Sequence, residues 1–356
     1  MADHDDNPFG RGGMSAGEVR RIATGADPMG TWEQVQADVI TSVEALLAEL
    51  GLSATDLPAS LRAAADFPLR VPRSYAQRIT PGDPADPLLR QVLAVPEEVQ
   101  PVPGYGSDPL AEAAHTPVPG VLHKYHGRVL LVVTGACAVH CRYCFRRHFP
   151  YSEHMPTPER LSRALDWLAQ QTDVSEVILS GGDPLSLSDR RLSALIEALA
   201  AMPHLKRLRI HSRLPVVIPG RMTPTLQEAL TSPRWQSVLV LHANHARELS
   251  PGLGAELAPL RQAGVTLLNQ AVLLRGVNDR LADQVALSEA LFAAGVLPYY
   301  LHQLDRVAGA AHFAVPDQEA LALHRALRGR LPGYLVPRLV REVAGDEAKT
   351  PLHEAL

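Results

Sequence analysis

From residue 128 onward the sequence alternates short apolar runs with amphipathic ones, and no other feature narrows the possible fold as far. RVLLVVT (128–134), EVILS (176–180), LKRLRIHS (205–212), SVLVLH (237–242), VTLLNQAVLL (265–274) and VLPYYLHQL (296–304) read as strands. Helical patterns follow near 157–171, over LSALIEALA with Leu192, Leu195, Ile196 and Leu199 on one face, and near 223–231, 253–263, 280–294 and 316–329. A helix between two strands carries the chain back to the edge where it began, so successive strands run parallel. Six such units predict an α/β fold whose polar chemistry gathers at the carboxyl ends of the strands. The periodicity fits a doubly wound sheet and a curved, incompletely closed barrel equally, and leaves both open.

The flanks read differently. Residues 1–30 are expected to form a flexible leader. Thr31 and Gln34 have capping-box spacing ahead of Val35, Val39, Val43, Leu46, Leu47 and Leu50, which predicts one amphipathic helix closed by Gly51. Proline then recurs (FPLRVPRSY, TPGDPADPLL, VPEEVQPVPGYG), so short helices and extended segments are expected to wrap over another core. The expected organisation is a leader (1–30), a helical and proline-rich N-terminal region (31–120), the parallel core (121–310) and a C-terminal helix with a tail (311–356).

Composition excludes some partners. A formal net charge of −4 offers no overall attraction to nucleic acid or to an anionic membrane. No apolar run approaches the roughly 20 residues that span a bilayer, and MADHDDNPFGRGG is not a signal peptide, so a cytoplasmic location is expected. All but three of the 34 basic residues are arginine. Lys124, Lys206 and Lys349 are therefore each candidates for chemistry that needs a primary amine.

All three cysteines fall within CAVHCRYC, directly after the first strand of the alternation, with spacing C-x3-C-x2-C. Three soft ligands on one short loop, Cys137, Cys141 and Cys144, suit an iron–sulfur cluster or zinc. Structural zinc normally takes four protein ligands, and His140 or His148 could supply the fourth. A non-catalytic metal or electron-transfer protein is thus one reading of the residues alone.

CAVHCRYC after a first strand, with SGGDP (Ser180 to Pro184) at the end of the second, resembles the radical S-adenosylmethionine (SAM) superfamily. That resemblance implies a partial (β/α)6 barrel with a helical N-terminal region. It also implies a 4Fe–4S cluster on Cys137, Cys141 and Cys144 with one iron left for SAM, and SAM contacts at Tyr143, Ser180, Gly181, Gly182 and Asp183. LHKYHGRVLL, CRYCFRRHF, ILSGGDPLSL, IRIHSRLPVVIP, LNQAVLLRGVND, YYLHQLD and KTPL extend it to the lysine 2,3-aminomutase family, from about residue 65 to the end.

The family resemblance implies an isomerase with pyridoxal phosphate (PLP) as a further cofactor, joined to Lys349 in a short C-terminal tail, with Arg128 and Gln270 holding its phosphate. It implies Arg146 as the grip on the carboxylate of L-lysine, and Asp305 and Glu342 as partners of the distal ammonium. Glu342 stands where aminomutases proper carry aspartate. Arg280 stands where they carry a cysteine that binds structural zinc together with a C-terminal extension. Glu342 and the early end of the chain resemble the branch making (R)-β-lysine for elongation factor P and its separate lysyl-ligase. The alternative within the family is an aminomutase of lysine catabolism or β-lysine biosynthesis. An electron donor of flavodoxin or ferredoxin type is implied in either case.

Overall fold

The computed structural model describes residues 31–53, 57, 60–154 and 157–354, so the expected leader lies outside the described residues. All six strand–helix units form. Strands β2 (Arg128–Thr134), β3 (Glu176–Gly181), β4 (Arg207–Ser212), β5 (Gln236–His242), β6 (Thr266–Val272) and β7 (Leu297–His302) are each followed by a helix. These are α1 (Pro158–Gln170), α2 (Asp189–Ala200), α3 (Pro224–Leu230), α4 (Leu253–Gln262), α5 (Leu281–Ala293) and α6 (Asp317–Arg330). An antiparallel strand β1 (Val121–Tyr125) precedes them. After α6 come β8 (Arg338–Arg341), parallel to β7, and β9 (Thr350–Pro351), antiparallel to β8.

Strand order resolves the ambiguity that periodicity left. The nine strands lie side by side in chain order, from β1 at one edge to β9 at the other. A doubly wound sheet reverses order part-way across, and this one does not. With right-handed crossovers throughout, an unreversed order puts every helix on the same face, as in a barrel wall that is left open.

The helix-covered face is apolar by alternation. Val129, Leu131, Val177, Leu179, Leu208, Ile210, Leu239, Leu241, Leu267 and Leu301 are buried in one cluster with Leu192, Leu195, Ile196 and Leu199 of α2. Burying each such side chain contributes roughly 1.5–3 kcal/mol, which is why α2 sits with that stripe inward. Side chains alternate across a strand, so the opposite, inner face carries Arg128, Ser180, His211, His242, Gln270, Tyr300 and His302. His242, Gln270 and Tyr300 pair in register as one row.

The N-terminal region departs from expectation at its first helix. The Thr31–Gln34 capping box is present, but that helix ends at Ala37. Val39–Ile40 leaves as a strand to pair with Val71–Pro72, and Ser42 caps a second helix, Val43–Glu49. A β-branched pair before a new capping serine favours this break over one continuous helix. Trp32, Leu46, Leu88 and Leu93 of this region belong to the same buried cluster as the sheet. Among the described residues, no helix is long and apolar enough to cross a membrane.

Candidate active site

The cysteine loop leaves β2 at Thr134 and is fastened to the end of β3 through backbone. Gly182 N–H donates to the Thr134 carbonyl and Asp183 N–H to the Ala136 carbonyl, both at 2.7 Å. A Cβ on Gly181 would lie 2.5 Å from Thr134 O, and one on Gly182 2.4 Å from Ala136 O. Gly181 also holds φ at 120°. The close approach that requires these glycines is thus to the cysteine loop itself. Asp183 accepts from the Leu185, Arg213 and Leu214 amides and from Ser212 Oγ, tying the ends of β3 and β4 together.

The N-terminal region holds the loop from its other side. Arg142, fully buried between Cys141 and Tyr143, donates to both Glu98 oxygens and to the Phe67 and Ala63 carbonyls. Arg147 reaches the same Glu98 at 2.8 Å, and Arg70 Nε donates to the Cys137 carbonyl at 2.9 Å.

One guanidinium meets the thiols directly. Arg213, just past β4, donates Nη1 to Cys141 Sγ at 2.7 Å and to Tyr143 Oη at 2.6 Å. Its Nη2 donates to Gln91 Oε1 at 2.9 Å and Glu248 Oε2 at 2.7 Å. Burial opposes ionisation of Glu248, yet Arg213, Gln91 and the Asn244 amide hold its carboxyl below the usual range. Burial, then Cys141, pushes the Cys144 thiol up to about 12, while burial and Asp183 raise Cys137. Neither histidine considered for zinc turns to the thiols. His140 stacks on Phe67 with Nδ1 on the Pro68 carbonyl at 2.8 Å, and His148 Nε2 meets the Ala308 carbonyl at 3.1 Å. Among the described residues no three His, Cys, Asp or Glu side chains are gathered as a metal-ligand set, the three thiols included. The chemistry of the loop, three thiols with a cation against one sulfur and no histidine aimed at them, fits an anionic iron–sulfur cluster with an open iron better than zinc.

Lys349, on the tail, closes the opposite end of the inner face. Its Nζ donates to Glu342 Oε2 at 2.5 Å and lies 5.7 Å from the Tyr300 ring centre. Glu342 Oε1 accepts from Tyr125 Oη at 2.8 Å and Lys124 Nζ at 3.4 Å. Burial favours the neutral acid, but Lys349, Tyr125 and Lys124 hold the Glu342 carboxyl down to about 2. Asp305 behaves oppositely: burial, then the Glu342 charge, pushes it up to about 7 although Lys349 and Lys124 act against them. The Arg128 guanidinium stacks 4.5 Å from the Tyr125 ring centre. Arg128 opens β2, so it sits at the strand's amino end and departs from the carboxyl-end rule expected for every polar cluster. A half-buried primary amine held by a carboxylate beside the Tyr300 ring suits PLP. Gln270 lies one strand from Tyr300 in the same row.

Arg146 faces the inner side from the cysteine loop. Its Nε and Nη2 donate to the two oxygens of Glu112 at 2.9 and 2.6 Å, and Nη1 donates to Ser180 Oγ at 3.1 Å. Burial opposes its charge, but Glu112 keeps the guanidinium proton held more firmly than usual.

Three imidazoles complete the inner wall, and sequence reasoning passed over them. Burial lowers His242 to about 4 and holds His211 and His302 well below the ordinary value, so all three are neutral near pH 7. The signal lay in RLRIHS, where His211 shares its face with Arg207 and Arg209; in SVLVLH it was masked, because Val238 and Val240 share the face of His242. Glu112, Arg213 and Glu248 were missed as well.

A sequentially ordered parallel sheet with three thiols after its first parallel strand and a diglycine packed beneath them defines a radical SAM protein, and residues 131–229 match the Radical SAM superfamily. Over 90% of its length the chain is 52% identical to L-lysine 2,3-aminomutase of Escherichia coli (strain K12), spanning 94% of that protein. It is 45% identical to the enzyme of that name from Haemophilus influenzae (90% of this chain, 94% of the relative) and 42% identical to that of Buchnera aphidicola subsp. Baizongia pistaciae (89% and 94%). The chain belongs to the L-lysine 2,3-aminomutase family. Its members are radical SAM isomerases that use a 4Fe–4S cluster, SAM and PLP, so the enzyme class, fold and cofactors expected from the sequence hold.

Proposed function

We propose that the chain moves the α-amino group of L-lysine to the neighbouring carbon, yielding (R)-β-lysine for modification of elongation factor P. The observation that carries the substrate reading is the seat of Lys349: its ammonium rests on Glu342, with Asp305 close enough for the two carboxylates to repel. A pocket that pairs one primary ammonium with two acids suits the distal end of lysine. Arg146 takes the α-carboxylate, using the planar fork that matches carboxylate geometry.

When bound, the cluster and SAM supply hydrogen-atom abstraction, and PLP supplies the conjugated ring that lets nitrogen migrate. The remaining work belongs to the chain. Lys349 provides the amine for PLP, with Arg128 and Gln270 for its phosphate. Tyr143, Ser180, Gly181, Gly182 and Asp183 would shape the SAM side, and Cys137, Cys141 and Cys144 would hold the cluster. The neutral His211, His242 and His302 line the wall without adding charge. Enclosure orients the reacting carbon and excludes water and oxidants. A flavodoxin- or ferredoxin-type donor in the cytosol would supply the reducing electron, and the product would pass to the lysyl-ligase that serves elongation factor P.

Anaerobic turnover of L-lysine with SAM, PLP and a reductant, followed by chiral separation of the β-lysine formed, tests the reading. The (R) product supports it. The (S) product moves the chain to the catabolic or biosynthetic branch, and deoxyadenosine release without β-lysine rejects the substrate.

A further inference from the structure

The guanidinium of Arg146 is bonded on three sides by the chain before any ligand arrives. Glu112 occupies the edge formed by Nε and Nη2, and Ser180 Oγ accepts from Nη1. A guanidinium carries five N–H donors, so one donor remains on each terminal nitrogen. The ion pair is well buried, with side-chain exposures of 5% for Arg146 and 14% for Glu112. Phe145 and Phe149 flank the guanidinium at 4.9 and 5.7 Å.

Glu112 comes from outside the sheet. It opens the short 3-10 turn Glu112–His115 in the segment that leads from the N-terminal region to β1. Asp108 fixes that turn by accepting from the Glu112 and Ala113 amides. Ala111, just before it, holds φ at 51°, the left-handed region that a residue with a Cβ disfavours. Further back, Gly106 latches the segment to the sheet's carboxyl side: its N–H donates to the Arg306 carbonyl at 3.0 Å, and its carbonyl accepts from Ala308 N–H at 2.8 Å. Arg306 follows Asp305 directly. One strap therefore touches both the arginine and the neighbourhood of the acid that the proposed function assigns to the two ends of lysine.

We propose that Glu112 is a positioning residue for substrate recognition. By holding the Nε/Nη2 edge it aims the remaining donors of Arg146 at the substrate carboxylate and keeps them at a set distance from Asp305 and Glu342. This rests on Arg146 binding the carboxylate of lysine. Glu112 is not the substrate's competitor, because the donors it occupies are not the ones left over. A loosened Arg146 reaches carboxylates at other distances, so discrimination against L-ornithine, one methylene shorter, weakens with it.

The test is steady-state kinetics of reconstituted Glu112→Gln, Glu112→Asp and Arg146→Lys on L-lysine and L-ornithine, with iron content and PLP absorbance read in parallel. Loss of a charge-assisted pair predicts KM for L-lysine up by about tenfold in Glu112→Gln, with kcat nearly unchanged. The ornithine-to-lysine ratio of kcat/KM is expected to rise, iron and PLP to stay at wild-type levels, and Glu112→Asp to fall between. An unchanged or lowered KM in Glu112→Gln, with Arg146→Lys raised, overturns the positioning role alone. An unchanged KM in Arg146→Lys means that the carboxylate reading itself has failed. If Glu112→Gln loses iron or PLP, Glu112→Asp decides: a raised KM with a relaxed ornithine ratio supports the role, and wild-type values reject it.

Discussion

The two ends of the inner wall are built to different standards. At the cysteine loop the contacts include backbone bonds and buried ion pairs: Arg142 on Glu98, Arg213 on Glu248, the β3 amides on the Thr134 and Ala136 carbonyls. At Lys349 they run from side chain to side chain through one carboxylate, Glu342, on a tail secured by a four-residue and a two-residue strand. The first arrangement suits ligands that stay put. The second suits a residue that changes partners: in the proposed role Lys349 leaves Glu342 to serve PLP, and the acid is then available to another ammonium.

The largest expected effects separate the two ends. Cys141→Ala should abolish lysine isomerisation and lower bound iron while PLP absorbance persists; full iron loading in that variant rejects the ligand assignment. Lys349→Ala should do the reverse, losing the absorbance of lysine-bound PLP with iron intact. Retained absorbance would mean that Lys124 or Lys206 is the PLP lysine.

A smaller effect tests the rigidity of the cysteine end. Glu248→Gln leaves Arg213 buried without its counter-charge, and breaking such a pair costs about 3–5 kcal/mol. The Lys124–Glu342 contact is longer, at 3.4 Å, and Tyr125 and Lys349 also hold that acid. Lys124→Met is therefore expected to cost much less. Denaturant unfolding of both variants checks the contrast, and equal losses would erase the distinction between a fixed end and an exchanging one.

Sequence made the scaffold legible because its signals are local. Leu192, Leu195, Ile196 and Leu199 form a helical stripe, and all four are buried where the stripe predicts. Strand order was not legible, because periodicity says which residues are buried and not which strand lies beside which. The site was readable where residues adjoin in the chain, as in the cysteine loop. It was opaque where it depends on contacts between distant segments. Glu112 meets Arg146 from 34 residues away out of a proline-rich stretch without periodicity, and Arg213 meets Cys141 across 72. The split of the first helix was hidden for the same reason: Val39 and Ile40 have helical spacing, and the partner strand that claims them is at Val71.

The finest test falls within the exchanging end and lies in pH. Glu342, held down to about 2, stays ionised throughout the working range and contributes no slope there. Asp305, pushed up to about 7 by burial and by Glu342, is neutral below that pH and charged above it. Only the charged form attracts an ammonium, and the lysine side chain remains protonated to about pH 10. KM for L-lysine should therefore fall as pH rises from about 6 to about 8, by up to about tenfold per unit on the acidic side. The Asp305 share of stability should move the other way. Asp305 binds its proton more firmly in the fold than in the unfolded chain, where its value is 3.8, so its share of stability is full below about pH 4 and is lost as pH rises to about 7. Asp305→Asn should flatten the KM curve between about pH 6 and 8 and remove the Asp305 share of the stability curve between about pH 4 and 7, leaving there the opposite slope that the buried His211, His242 and His302 impose. A KM profile that keeps its slope in this variant assigns the titration to another group and leaves Glu342 as the acid that matters.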